Sequence, residues 1–184
     1  MSRHTTPSSM IKESLPEFLN AAKFCLEFRK KDGGCLGYSC ALLLFSVIDS
    51  IGSYFRGNSQ FEINIDYQAT KINKDGWEHF KILNSNYFKQ NLSENFIRKL
   101  YSSYRSFLSH NAVLGRDSLM IIDNTILNDG TFGRPFIEKQ SHNMTKCYII
   151  SLSELYSICE IAVSEFYKDI DNVVPYSKQG STFH

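Results

Sequence analysis

An arginine and a histidine separated by four residues are the side chains in this sequence best suited to chemistry. Arg105 and His110 close a helical pattern that begins near Ser93. The imidazole of His110 can gain or lose a proton near neutral pH, so it can serve as a general acid or base. The guanidinium of Arg105 can hold the charge that builds on a phosphate during transfer. Together they predict RNA cleavage without a metal ion, although chance gives the same spacing in many helices.

The positions of these two residues on a helix limit how they can meet. On an ideal α-helix, His110 lies about 140° around the axis from Arg105 and about 7.5 Å along it. The two side chains therefore lie on different stripes of the helix. They can meet within one chain only if Arg105 reaches along the helix groove, or if the helix ends or bends near Ser109.

Length, charge and cysteine content favour a single cytoplasmic domain. The chain has 184 residues and a formal net charge of +1, so any nucleic-acid site must be a local patch. The five cysteines are odd in number and contain no C-x-x-C pair. Cys25, Cys40 and Cys159 fall within apolar helical patterns, which is typical of free thiols in a reducing compartment.

The chain ends and the longest apolar run predict no membrane segment. Residues 1–9 are polar, so we expect a disordered leader and no secretory signal. The run from Cys40 to Ile48 is interrupted by Ser46 and ends at Asp49, so we expect it to be too short to span a bilayer. We expect one domain over residues 10–171 and a flexible tail over residues 172–184.

Hydrophobic periodicity predicts a mainly all-α fold built on four amphipathic helices. They are expected at about Met10–Lys30, Leu36–Phe55, Ser93–His110 and Ser151–Lys168. The first helix could instead begin near Pro16 with Ser14 as its cap, because proline lacks an N–H inside a helix. A short helix or two is expected between Lys74 and Gln90.

Residues 119–150 are expected to form a small β-rich insert before the last helix. The strand candidates are Leu119–Asp123, Pro135–Glu138 and Cys147–Ile150, which would make a hairpin or a three-stranded flap. Phe61–Ile65 alternates in polarity, but we expect a loop there that packs Ile63 or Ile65 on the core.

The apolar second helix carries one acid and two glycines that stand out. Acids are rarely buried without a partner, so we expect Asp49 to lie on a rim or to meet an arginine. Gly37 and Gly52 would both let a neighbouring helix approach closely. Tyr101, Tyr104 and Phe107 flank Arg105 and could stack on bases, but a core role fits Tyr104 and Phe107 better.

The remaining polar residues form no recognisable cofactor or metal motif. No phosphate-binding glycine loop, H-E-x-x-H motif or tight His/Cys cluster occurs, so we expect no metal site and no cofactor. The other histidines are scattered, and we expect each to be a surface residue rather than a ligand: His4, His79, His142 and His184.

The segment Leu100–Asn111 resembles the signature helix of HEPN domains, whose mark is R-x(4–6)-H near the end of a core helix. The second helix, with Val47-Ile48-Asp49-Ser50-Ile51-Gly52 inside Ala41–Tyr54, is similar to stand-alone bacterial members. The resemblance covers the four main helices, roughly Met10–Asp171. It implies an up-down bundle of four to five core helices, with the β-hairpin insert as an addition that the family core lacks.

The resemblance also implies an activity. Many HEPN proteins are dimeric, metal-independent endoribonucleases in which two motif helices share one cleft, so residues from two chains can complete one site. Arg105 would neutralise the scissile phosphate, and His110 would move protons during attack by the RNA 2′-hydroxyl. Supporting or substrate-binding roles fall to four residues of the same segment: Tyr101, Ser106, Ser109 and Asn111.

Two main functional interpretations follow from the resemblance. The first is a cytoplasmic homodimeric ribonuclease of a toxin or phage-defence type, with RNA as substrate and an antitoxin or regulatory protein as partner. The second is a catalytically silent HEPN-like dimer that binds a partner protein or a nucleotide. The residue after the motif arginine is often Asn, Asp or His in active members and is Ser106 here. A third interpretation is an unrelated helical scaffold with a chance motif.

Overall fold

The fold is mainly helical, as the periodicity predicts. A computed structural model describes residues 6–31, 33–111, 113–123, 133–140 and 146–177. The α-helices within these residues are α1 (Pro7–Glu27), α2 (Gly37–Tyr54), α3 (Glu94–Leu100), α4 (Phe107–Asn111) and α5 (Leu152–Val173). A π-helical segment, Tyr101–Ser106, joins α3 to α4, and 3₁₀ helices occupy Gly76–Asn84 and Val174–Tyr176. The helix expected from Ser93 is therefore continuous, but it is not α-helical throughout.

Two small sheets accompany the helices in the described part of the chain. Strands β1 (Ile63–Ile65) and β2 (Gln68–Thr70) pair antiparallel. Strands β3 (Ser118–Ile121), β4 (Phe136–Gln140) and β5 (Lys146–Ser151) form a sheet in the order β3-β5-β4. Strand β4 is antiparallel to β5, whereas β3 is parallel to it, so the insert is more than a hairpin.

The expectation of a loop at Phe61–Ile65 is wrong, because part of it is strand β1. The strand explains the alternation of the sequence: Ile63 and Ile65 are buried, and Asn64 between them is exposed. Successive side chains of a strand point to opposite faces. The predicted burial of these isoleucines is therefore confirmed through a different local structure.

The first helix begins earlier than its apolar pattern indicates. Thr6 caps α1 by accepting a hydrogen bond from the N–H of Ser9, and the Ser9 side chain completes a capping box. The expected disordered leader is therefore wrong for residues 7–9, which are helical, while residues 1–5 lie outside the described part. Pro16 lies inside α1, so the alternative start near Ser14 is also wrong.

A hydroxyl compensates for the hydrogen bond that Pro16 cannot make. Pro16 has no N–H to offer the carbonyl oxygen of Lys12, one helical turn earlier. The Tyr167 hydroxyl of α5 lies 3.2 Å from that oxygen and donates to it. The contact explains how α1 continues past the proline and ties it to α5.

The C-terminal helix is longer than expected. It runs to Val173 rather than to about Lys168, because Ile170 and Val174 extend its buried stripe. The Ser177 hydroxyl then donates to the carbonyl oxygen of Val174. The expectation of a flexible tail is therefore wrong for residues 172–177, and residues 178–184 lie outside the described part.

Helix α2 forms the centre of the core, as its apolar pattern predicts. Seven of its side chains are completely or almost completely buried: Cys40, Ala41, Leu44, Phe45, Val47, Ile48 and Ile51. Within the described residues, α2 is also the one helix long and apolar enough to cross a membrane, with a mean hydropathy of 1.2 over 18 residues. Length and composition of this kind are equally typical of a buried core helix, so the expectation that the run Cys40–Ile48 does not span a bilayer stays a prediction.

Candidate functional site

Arg105 lies near the end of the π-helical segment and pairs with an acid on α2. Its Nη2 atom is 3.4 Å from Oδ2 of Asp49. The two side chains are 26% and 25% exposed, so the pair lies at the edge of the core and is accessible to solvent. The expectation that Asp49 meets an arginine is confirmed, and the arginine is the one singled out for chemistry.

The second partner of Asp49 is His79, which its sequence pattern predicted to be a surface residue. His79 is only 7% exposed, so that expectation is wrong. Its Nδ1 is 2.8 Å from Oδ1 of Asp49. Because a carboxylate accepts hydrogen bonds, Nδ1 carries the proton, and in the neutral ring Nε2 is left as an acceptor. His79 therefore contacts the same carboxylate as Arg105.

The contacts continue from His79 to a second acid–arginine pair. The Nε2 atom of His79 lies 3.5 Å from Oδ1 of Asp75, and the same oxygen pairs with Arg56. We call these five residues the Asp49 cluster: Arg56, Asp75, His79, Asp49 and Arg105. Basic and acidic groups alternate along it.

Three nitrogen atoms of the Asp49 cluster are buried without a hydrogen-bond partner within the described part of the chain. They are Nε of Arg56, Nε2 of His79 and Nε of Arg105. Buried polar atoms are normally hydrogen-bonded, and an exception can indicate a functional role or a missing ligand or water. The cluster therefore has unused capacity to bind polar atoms.

Close packing at Gly52 brings the parts of the Asp49 cluster together. A Cβ atom at Gly52 would overlap the carbonyl oxygen of His79. The absent side chain thus lets the 3₁₀ helix Gly76–Asn84 lie directly on α2. The stacked rings of Phe45 and Phe80, 5.7 Å apart, extend this contact into the core. The predicted close approach at Gly52 is confirmed.

The three-stranded sheet supports the π-helical segment from its other side. Tyr104 is completely buried, and its hydroxyl donates to the carbonyl oxygen of Tyr148 at 2.6 Å. Burial raises the pKa of Tyr104, so this hydroxyl keeps its proton. π-Helical turns often occur at functional sites. Here one turn carries Arg105, which pairs with Asp49 on α2, and Tyr104, which anchors the same turn to the sheet.

His110 lies in different surroundings from Arg105. It is exposed in the last turn of α4, beside the exposed Ser109 and Asn111. The Ser109 hydroxyl donates to the carbonyl oxygen of Ser106, which is half-buried. No hydrogen bond or ion pair joins Arg105 to His110, both of which are among the described residues. Within one chain, therefore, no hydrogen bond holds the two motif side chains together.

Tyr101, the first residue of the π-helical segment, lines a surface groove. The groove has a volume of about 340 Å³ and is lined by Trp77, Asn95, Arg98, Lys99, Tyr101 and Ser102. The Arg98 guanidinium lies 3.5 Å from the centre of the Trp77 ring. Aromatic rings and guanidinium planes are the surfaces on which unpaired bases stack. Glu94 and Asp117 pair with Arg98 and Lys99, so the groove has little net charge.

Cysteine chemistry and a metal centre find no support in the described residues. Burial raises the pKa of Cys40 to about 12 and also raises that of Cys159, so these thiols stay protonated at neutral pH. The five cysteines are free, as their sequence environment predicts. No group of three or more His, Cys, Asp or Glu side chains in the described segments could hold a metal ion.

The residues that sequence reasoning missed are His79, Asp75 and Arg56. His79 stands in the stretch from Trp77 to Leu83, in which four of the seven residues are apolar, and those neighbours were the signal for its burial. Asp75 and Arg56 lie at helix boundaries, where charged residues are common and carry little information. Only the three-dimensional contacts connect them to Asp49.

No protein-family model, no curated protein and no solved structure matches this chain. Function must therefore be inferred from the side chains themselves. Their most specific feature is a quarter-exposed arginine held by an acid, with an exposed histidine at the end of the same continuous helix.

Proposed function

We propose that this protein is a metal-independent endoribonuclease of the HEPN type that acts as a homodimer. Arg105 binds the scissile phosphate, and His110 moves protons. The RNA 2′-hydroxyl loses its proton to a base and forms a bond to phosphorus, while the bond from phosphorus to the 5′-oxygen breaks. That oxygen takes up a proton from an acid, leaving a cyclic phosphate and a 5′-hydroxyl. No metal is needed for any of these steps.

The observation that carries this proposal is the pairing of Arg105 with Asp49. A guanidinium has five N–H donors in a fixed plane, and the Nη2 atom of Arg105 lies 3.4 Å from the Asp49 carboxylate. The negative carboxylate attracts the guanidinium to this position, and other N–H donors of Arg105 can bind phosphate oxygens. Since the pair is a quarter exposed, a substrate phosphate can reach it.

A homodimer can bring Arg105 of one chain close to His110 of the other. A two-fold axis near the end of α4 would bring His110 of one chain towards Arg105 of the other. Exposed apolar side chains lie close in sequence to His110 or on strand β3: Val113 is 49% exposed and Leu119 is 52% exposed. Such side chains suit a protein interface. A cytoplasmic toxin or phage-defence role, with an antitoxin or regulatory partner, belongs to the same proposal.

A second candidate function is a catalytically silent HEPN-like dimer that binds a partner protein or a nucleotide. The observation that favours it is again at Arg105, whose Nη2 is already engaged by its own chain. Ser106 follows the arginine where active members often have Asn, Asp or His. In this case the Tyr101 groove would bind a ligand without cleavage.

Cleavage assays on purified protein test the first proposal. Wild-type protein should cleave RNA in EDTA, and His110→Ala should lower the rate by about 10² to 10⁴, which is typical for loss of one such group. Arg105→Lys should also lose much of the activity, because lysine keeps the charge but not the planar fork. Arg116→Lys, at an exposed position just beyond the motif, is the matched control and should cleave normally.

The same assays separate the two candidates. Activity that EDTA abolishes, or that His110→Ala leaves intact, contradicts the proposed chemistry. Absence of cleavage in every variant, with RNA or nucleotide still bound, favours the silent dimer. Light scattering that reports only monomer at micromolar concentrations contradicts both candidates, since each requires two chains.

A further inference from the structure

Asp75 is the outermost member of the Asp49 cluster and the least firmly enclosed. Its side chain is 72% exposed, whereas its partners Arg56 and His79 are 17% and 7% exposed. An exposed carboxylate thus covers two nearly buried nitrogen groups. Because the Asp75 carboxylate is mostly in water, it can turn into solvent without being desolvated further. An anion that takes its place keeps the nearly buried nitrogen groups paired.

We infer that Arg56 and His79 form a binding site for a phosphate group of the RNA backbone, and that the Asp75 carboxylate occupies this site in the free protein. The inference rests on the proposed function for the identity of the phosphate source. A phosphate has the charge and the acceptor oxygens of the carboxylate that it would replace. It would be bound in addition to the scissile phosphate at Arg105.

Two nitrogen atoms at this site have hydrogen-bonding capacity that Asp75 does not use. Nε of Arg56 and Nε2 of His79 are both buried and lack a hydrogen-bond partner in the described part of the chain. When both ring nitrogens of His79 carry protons, Nδ1 donates to Asp49 and Nε2 can donate to a phosphate oxygen. Arg56 can present its guanidinium to the same phosphate once Asp75 moves away.

The position of this site fits a substrate that also reaches Arg105. Asp49 contacts both His79 and Arg105, so the two phosphate positions would share one carboxylate between them. Gly76, with φ of +82°, follows Asp75 and turns the chain towards Trp77 in the Tyr101 groove. A single RNA strand could therefore place phosphates along the cluster and a base against the groove.

The test is Asp75→Asn, compared with Asp171→Asn. Asp171 is also 72% exposed and pairs with Lys12 on α1, so its substitution removes the same charge and the same kind of ion pair. Both changes are made in His110→Ala protein, so that RNA stays intact. The probes are inorganic phosphate and a short single-stranded RNA. Trp77 is the only tryptophan in the sequence, so its fluorescence reports binding, with calorimetry as an independent measure.

Asp75→Asn should bind both probes about 5-fold more tightly, which corresponds to removing one unit charge about 4 Å away in water. Asp171→Asn should bind them as the parent protein does. Adding Arg56→Gln to Asp75→Asn should abolish the gain, because it removes the cation that holds the phosphate.

Equal affinities for Asp75→Asn and Asp171→Asn would overturn the inference. Tighter binding of inorganic phosphate without tighter binding of RNA would overturn the assignment to the RNA backbone. Cleavage by the wild type is measured separately. Tighter binding by Asp75→Asn with no cleavage by the wild type would support the phosphate site and contradict the ribonuclease proposal. Cleavage by the wild type with no tighter binding by Asp75→Asn would support the ribonuclease proposal and contradict the phosphate site.

Discussion

The two side chains of the motif differ sharply in how their own chain holds them. Arg105 is fixed by Asp49, which is in turn hydrogen-bonded to the buried His79. His110 stands exposed at the end of α4. One chain therefore orients the group that would hold phosphate charge and leaves the group that would move protons open to a partner. In the proposed site, contacts within one chain would therefore position Arg105, whereas a second chain would be needed to position His110.

The largest predicted loss of stability comes from a substitution at Gly52, where α2 contacts the 3₁₀ helix that carries His79. Gly52→Ala places a methyl group against the backbone carbonyl of His79, which cannot rotate out of the way. We expect a loss of about 3 kcal/mol in the free energy of unfolding, at the upper end for overpacking in a core. Urea denaturation followed by circular dichroism measures the change.

Gly37→Ala is the matched control for this prediction, because Gly37 also lies in α2. Its Cβ would come 3.3 Å from Cδ1 of Leu152, the end of a side chain that can adjust. The stability should change by less than about 1 kcal/mol, with the better helix propensity of alanine acting in its favour. Equal losses for the two substitutions would show that α2 does not depend on the close approach at Gly52.

A smaller effect should follow from separating the π-helical segment from the sheet. Tyr104→Phe removes the buried hydroxyl that donates to Tyr148 and leaves that carbonyl oxygen without it. The expected cost is about 1 kcal/mol in thermal or chemical unfolding. Tyr167→Phe is the control, since its hydroxyl makes longer contacts of 3.2 and 3.3 Å nearer the surface and should cost less.

A Tyr104→Phe protein as stable as the wild type would show that the sheet does not hold the Arg105 segment through this bond. A loss of hydrogen-exchange protection that is confined to the sheet would show that the Asp49 cluster is held independently of the sheet. Hydrogen exchange at the N–H groups of β5 and of Gly76–Asn84 distinguishes the two regions.

Sequence patterns predict the helices better than the contacts between them. The apolar stripe of α2 gives its position and its place in the core, because burial follows from periodicity. The same approach finds Asp49 as an isolated acid and Arg105 as a candidate for chemistry. The periodicity places α1 and α5 correctly but misses the start of α1 and the end of α5. The start of α1 is set by the Thr6 cap, and α5 is extended by burial of residues up to Val174.

The Asp49 cluster could not be predicted as a unit. Its members lie between residues 49 and 105, and His79 reaches Asp49 because the backbone approaches closely at Gly52. Sequence spacing carries no signal for such a contact. The π-helical turn is equally invisible to a wheel drawn for an ideal α-helix, and it sets the direction in which Arg105 leaves the helix.

Mixing two inactive variants tests the central claim, a cleft completed by two chains, most directly. Arg105→Ala and His110→Ala proteins are unfolded together, refolded as a mixture and assayed for RNA cleavage in EDTA. If one site takes Arg105 from one chain and His110 from the other, random pairing should restore about a quarter of wild-type activity. No recovery above the separate variants, when the wild type refolded in the same way is active, would contradict a shared site.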